Sequence, residues 1–114
     1  MKRLGLVVFA TFFLIAPKAH AITCDDIVSV LENQGDDFGV IIEQYNAIQG
    51  DSAALCRMGR EQGRPYFIAA IKSMKRFTGC SLYSDVAKST ISGYRKQLAN
   101  LEKALASDCK AAGM

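Results

Sequence analysis

The chain has 114 residues, of which 14 are Lys or Arg, 11 are Asp or Glu and one is His. Three of the basic residues (Lys2, Arg3 and Lys18) and the histidine itself, His20, fall within the first 21 positions. Beyond them the charges balance at eleven and eleven, which leaves no electrostatic case for nucleic acid and no imidazole for a Ser-His-Asp triad, a Cys-His dyad or a His-ligated metal.

Lys2 and Arg3 precede an apolar run from Leu4 to Ile15, which is short for a bilayer span. Pro17 and the small-x-small triplet Ala19-His20-Ala21 follow. This pattern predicts a secretory signal peptide over residues 1–21 and a single domain over 22–114. A periplasmic or secreted protein is therefore expected, with no membrane anchor after cleavage. Four cysteines (Cys24, Cys56, Cys80 and Cys109) then imply two disulfides. None is in a C-x-x-C arrangement, so a thioredoxin-like redox centre has no signature here.

The first helical stripe is Cys24, Ile27, Leu31, Gln34, Phe38, Ile41, Tyr45 and Ile48, spaced by three and four without a slip. Thr23 is a suitable N-cap, and Asp25 and Asp26 complement the positive helix end. Gln34-Gly35-Asp36-Asp37 reads locally as a turn, which would split this helix in two. The unbroken phase favours one helix, kinked at Gly35. Gly50-Asp51-Ser52 should end it and cap the next.

The second helical region spans about 52–77, with the stripe Ala53, Cys56, Arg60, Gly63, Phe67, Ala70, Met74 and Phe77. A residue before proline is pushed away from helical dihedrals. A break or sharp kink is thus expected near Gly63-Arg64, with Pro65 opening a better helix. The third helix should run from about Leu82 to Asp108 on Ala87, Ile91, Tyr94, Leu98, Leu101 and Leu105. No strand pattern is present.

Three helices with short connections predict an all-α, up-down-up bundle. That topology pairs Cys24 with Cys80 at one pole and Cys56 with Cys109 at the other. Charge is segregated along the chain. Residues 22–51 carry seven acids and no base; residues 52–77 carry six bases and one acid. The expectation is that Asp25 and Asp26 meet Lys75 and Arg76, that Asp36 and Asp37 meet Arg64, and that Glu43 meets Arg57. The stripe tyrosines, Tyr45 and Tyr94, are expected in the core with satisfied hydroxyls.

No catalytic residue, cofactor or metal site is expected. Gln34 and Arg60 are the two polar intrusions into the stripes, so a groove near the kink, with Gln34, Arg60 and Arg64, is the candidate binding site. Thr23-Cys24-Asp25-Asp26 resembles the opening of the small periplasmic acid-stress chaperones, which are helical and disulfide-bonded. Those chaperones have two cysteines rather than four, and the likeness ends with these four residues. The expected function is that of a non-enzymatic exported module acting through protein contacts. The alternative is an acid-responsive chaperone that opens when its acidic first helix is protonated.

Overall fold

A computed structural model describes residues 23–114; the expected signal peptide lies outside them. The elements are α1 (Ile27–Ala47), α2 (Ser52–Met58), α3 (Arg64–Lys75) and α4 (Ser84–Ala111). A 3-10 turn, Cys24–Asp26, leads into α1, and a π turn, Gly59–Gly63, joins α2 to α3. No strand occurs among the described residues.

The first helix begins where expected. The Thr23 N–H donates to the Asp26 carboxylate at 2.8 Å, which fixes the entry. Neither Gly35 nor Gly39 interrupts α1. Every stripe position from Ile27 to Ile48 is buried or half-buried, and its neighbours on the outer side are exposed. Tertiary packing of that stripe outweighs a penalty of about 1 kcal/mol for each interior glycine. The helix ends at Ala47 and the chain turns through residues 48–50, where Gly50 takes a left-handed φ of 90° that is open to glycine at no steric cost. Asp51 then caps α2 by accepting from the Ala54 N–H at 3.0 Å.

The break expected at Gly63-Arg64 does not occur. Met58, Gly59, Gly63 and Arg64 all keep right-handed helical dihedrals, so the second rod runs continuously from Ser52 to Lys75. The chain widens instead. The Arg64 N–H bonds to the Gly59 carbonyl, five residues back, which is π winding. Pro65 sits in the first turn of α3. It has no N–H to donate, and its ring would press on a carbonyl four residues earlier. A wider turn just ahead relieves both problems without leaving helical space.

The third rod is one helix of 28 residues, shifted slightly toward the C-terminus of the expected span. Cys24 bonds to Cys80 with a Cα–Cα distance of 5.8 Å, and Cys56 to Cys109 at 4.9 Å, as the up-down-up topology requires. The start of the first rod lies beside the end of the second, and the start of the second beside the end of the third. Each bond closes more than 50 residues of chain, worth about 4 kcal/mol in the chain-entropy account.

The core has two parts. Near Cys24–Cys80, Ile27, Ile71, Met74, Phe77, Ala87 and Ile91 form the larger cluster. Near the opposite pole, Cys56, Leu105 and Cys109 form the smaller one.

The charge pairing differs from expectation. Arg64 does not meet Asp36 or Asp37. It turns to α4 and holds Glu102 through two nitrogens, with Nη2 at 2.6 Å and Nε at 3.1 and 3.2 Å. Among the described residues Glu43 makes no ion pair with Arg57 either. The arginine at the first turn of α3 has a carboxylate one helix away on its α4 side, and the bidentate fork favours that planar match.

Candidate functional site

Between the two core clusters, one polar residue from each rod converges. Gln34 of α1 is only 8% exposed. Its Oε1 accepts from the Tyr94 hydroxyl of α4 at 2.7 Å. Its Nε2 donates to the Ala70 carbonyl of α3 at 3.4 Å. The Tyr66 hydroxyl of α3 donates to the Gln34 main-chain carbonyl at 2.7 Å. That carbonyl lies beside Gly35, the softest point of α1, so Tyr66 supports the helix where its propensity is weakest. Phe38, one turn on, stacks on Tyr66 with ring centroids 5.7 Å apart and meets Phe67 at the same distance.

Both hydroxyls resist ionisation. Burial raises Tyr66 well above the ordinary phenol value, and the neighbouring Tyr94 and the Asp37 carboxylate add to the rise. Burial also raises Tyr94, against a smaller opposing effect from the neighbouring Tyr66 hydroxyl. The node is therefore neutral over the ordinary pH range. A neutral, satisfied polar contact among three rods specifies register rather than chemistry.

The structure does not gather Gln34, Arg60 and Arg64 into one groove. Gln34 points into the interior. Arg64 bridges to Glu102. Arg60 is exposed and donates to the Met114 carbonyl at 3.5 Å. The wider winding of the π turn brings Gly59 and Gly63 inward and leaves Arg60 outside.

Tyr45 departs from expectation in another way. Its hydroxyl is buried and has no hydrogen-bond partner in the protein. An unmade bond of this kind costs about 1–3 kcal/mol. Burial raises its pKa, and the Asp108 carboxylate raises it further. The hydroxyl rests against the π turn, 2.9 Å from where a side chain on Gly63 would begin and 3.3 Å from the same point on Gly59. The apolar run from Tyr66 to Ile71 marks that segment for burial, and Phe67, Ala70 and Ile71 are indeed buried with Tyr66 half-buried. Gly59 is the interior residue that the stripe did not include, and nothing in the local pattern marked it.

Among the described residues, clefts lie on two sides of α1. One runs between α1 and α3, lined by Asn33, Gln34, Asp37, Tyr66 and Ser73 among others. The other lies where α1 faces the π turn and α4. Among the described residues no group of three or more His, Cys, Asp or Glu could hold a metal ion, and no helix is long and apolar enough to cross a membrane. No family model, curated protein or solved structure matches this chain.

Proposed function

We propose that this is a non-catalytic exported protein that works through protein–protein contacts, and that the outer face of α1 makes them. Val28, Glu32, Gly35, Asp36, Gly39 and Glu43 fall on one stripe at helical spacing, and all six are exposed. The carrying observation is that Asp36 and Glu43 lie on a face without a Lys or Arg of its own and are not paired to the bases of the second rod. Nothing stands within 4 Å of the point where a side chain on Gly35 or Gly39 would begin, so another backbone can approach closely there. An acidic stripe of this kind suits a partner segment rich in Lys and Arg. Two disulfides and the apolar run at residues 4–15 support export.

The acid-opening alternative relied on ion pairs between α1 and the second rod that protonation would release. Asp36, Asp37 and Glu43 make no such pairs, so that alternative loses its trigger at these residues.

The test is capture from a periplasmic or culture extract by the native protein and by a Glu32→Lys, Asp36→Lys, Glu43→Lys variant. These side chains are exposed, so the variant's circular dichroism should match the native protein's. A partner retained by the native protein and lost by the variant supports the reading. Equal capture by both overturns it.

A further inference from the structure

The two disulfides sit in unlike surroundings. Cys56 and Cys109 each lie within a helix, 0% and 7% exposed, and pack with Leu105. Cys24 and Cys80 lie in turns at the opposite pole, the first in the 3-10 turn and the second in the connection from α3 to α4. Cys24 is exposed and Cys80 half-buried, and Thr23, Asp25, Gly79 and Ser81 beside them are exposed as well. Thiol–disulfide exchange needs a thiolate to reach a sulfur, so access separates the two bonds.

The bonds also hold different parts together. Cys56–Cys109 ties the second rod to the third, whereas Cys24–Cys80 ties down the free end of α1. That rod is the one in need of a tie. Of its 21 residues only Ile27 and Gln34 are buried, against four of twelve in α3. Clefts of about 290 Å³ each run along two of its sides. Asp36, Asp37 and Glu43 make no ion pair to the second rod. Ile27, one turn from Cys24, completes the larger core cluster with Ile71, Met74 and Phe77. Undocked, a helix of this length with two interior glycines is marginal in water.

We infer that Cys24–Cys80 is a redox latch for α1, opened by a dithiol reductant while Cys56–Cys109 stays closed. A thiolate of the reductant attacks Cys24 Sγ, the S–S bond breaks, and Cys80 leaves as a thiolate. The reductant's second thiolate then attacks its own sulfur in the mixed disulfide, and Cys24 leaves in turn. Two electrons and two protons pass to the protein, and the dithiol becomes a disulfide. Ile27 is then no longer pinned. The first rod swings about the turn at Gly50 and uncovers the larger core cluster on a two-rod hairpin that Cys56–Cys109 still clamps. The inference does not depend on which face of α1 meets a partner.

The test begins with the native, oxidised protein in dithiothreitol without denaturant, sampled at intervals, alkylated with N-ethylmaleimide and peptide-mapped. Cys24 and Cys80 should be labelled at least about tenfold faster than Cys56 and Cys109. Hydrogen exchange on the singly reduced, alkylated protein should then speed at least about tenfold through 27–47, while 64–75 and 84–111 keep their protection. A Cys24→Ser, Cys80→Ser variant carries no alkyl group and should show the same exchange pattern. Equal labelling of the two pairs, earlier labelling of Cys56 and Cys109, an α1 that keeps its protection, or loss of protection through all three rods together would each overturn the proposal.

Discussion

Two pairs of glycines stand four residues apart, Gly35 and Gly39 in α1 and Gly59 and Gly63 in the π turn. The first pair looks out. No atom lies within 4 Å of the points where their side chains would begin. The second pair looks in. A methyl group on Gly59 would sit 2.5 Å from Leu105 Cδ1, and one on Gly63 would meet both Tyr45 and Leu101. The same residue type at the same spacing thus leaves an open surface in one rod and admits two neighbouring helices in the other. The sequence pattern is identical; the difference is which face of the helix the pair occupies.

The comparison can be tested most severely at the clamp beside the inward pair. Replacing Cys56 and Cys109 by serine should lower stability by about 4 kcal/mol. It should also loosen the Leu105 packing, seen as faster hydrogen exchange through 56–63 than through 27–35. Gly59→Ala should follow, at about 1–3 kcal/mol or more by denaturant titration, because Leu105 must leave its position. Gln34→Leu asks whether α1 is held by its polar node as well as by apolar packing. Tyr94 would lose its acceptor, and the expected loss is about 1–3 kcal/mol. Gly35→Ala should have the opposite sign, a gain of about 0.5–1 kcal/mol, since the site is open and helical. If Gly35→Ala destabilised the protein as much as Gly59→Ala, the contrast between the pairs would be wrong.

The smallest effect is electrostatic. The Arg64 guanidinium holds the Glu102 carboxyl below its ordinary value, chiefly by direct hydrogen bonds. A depressed folded-state value means that the contribution is present at neutral pH and is lost as pH falls through that value. An NMR titration of Glu102 should therefore move upward in Arg64→Gln, with little change in melting temperature because the pair is exposed.

Much of this fold was legible in the phase of the apolar residues. The three stripes located the rods, and the topology they imposed selected Cys24–Cys80 and Cys56–Cys109. The π turn was not legible. Gly59, Gly63 and Pro65 read locally as helix breakers; the relief that Pro65 needs is met by a widened turn rather than a break, with Tyr45, Leu101 and Leu105 packed closely on the two glycines. Charge segregation was also misleading in detail. It grouped acids in α1 and bases in the second rod, yet Arg64 chose Glu102, a residue 38 positions away in another helix. Net charge over a segment says nothing about which carboxylate comes within reach. The candidate site was half legible. Gln34 stood out as a polar intrusion, and it does sit at the centre of the molecule. Arg60, singled out on the same grounds, sits at the surface because π winding moved it off the inner face.

The two disulfides interleave along the chain, in the order 24, 56, 80, 109 with the first joined to the third and the second to the fourth. A single backbone scission anywhere between Cys24 and Cys109 therefore releases no fragment. Even simultaneous cuts at Gly50 and at Ser81 would leave three helices threaded together through sulfur. In surroundings rich in proteases, such a molecule can be nicked at its exposed joints and still travel as one particle, its wounds visible only after reduction.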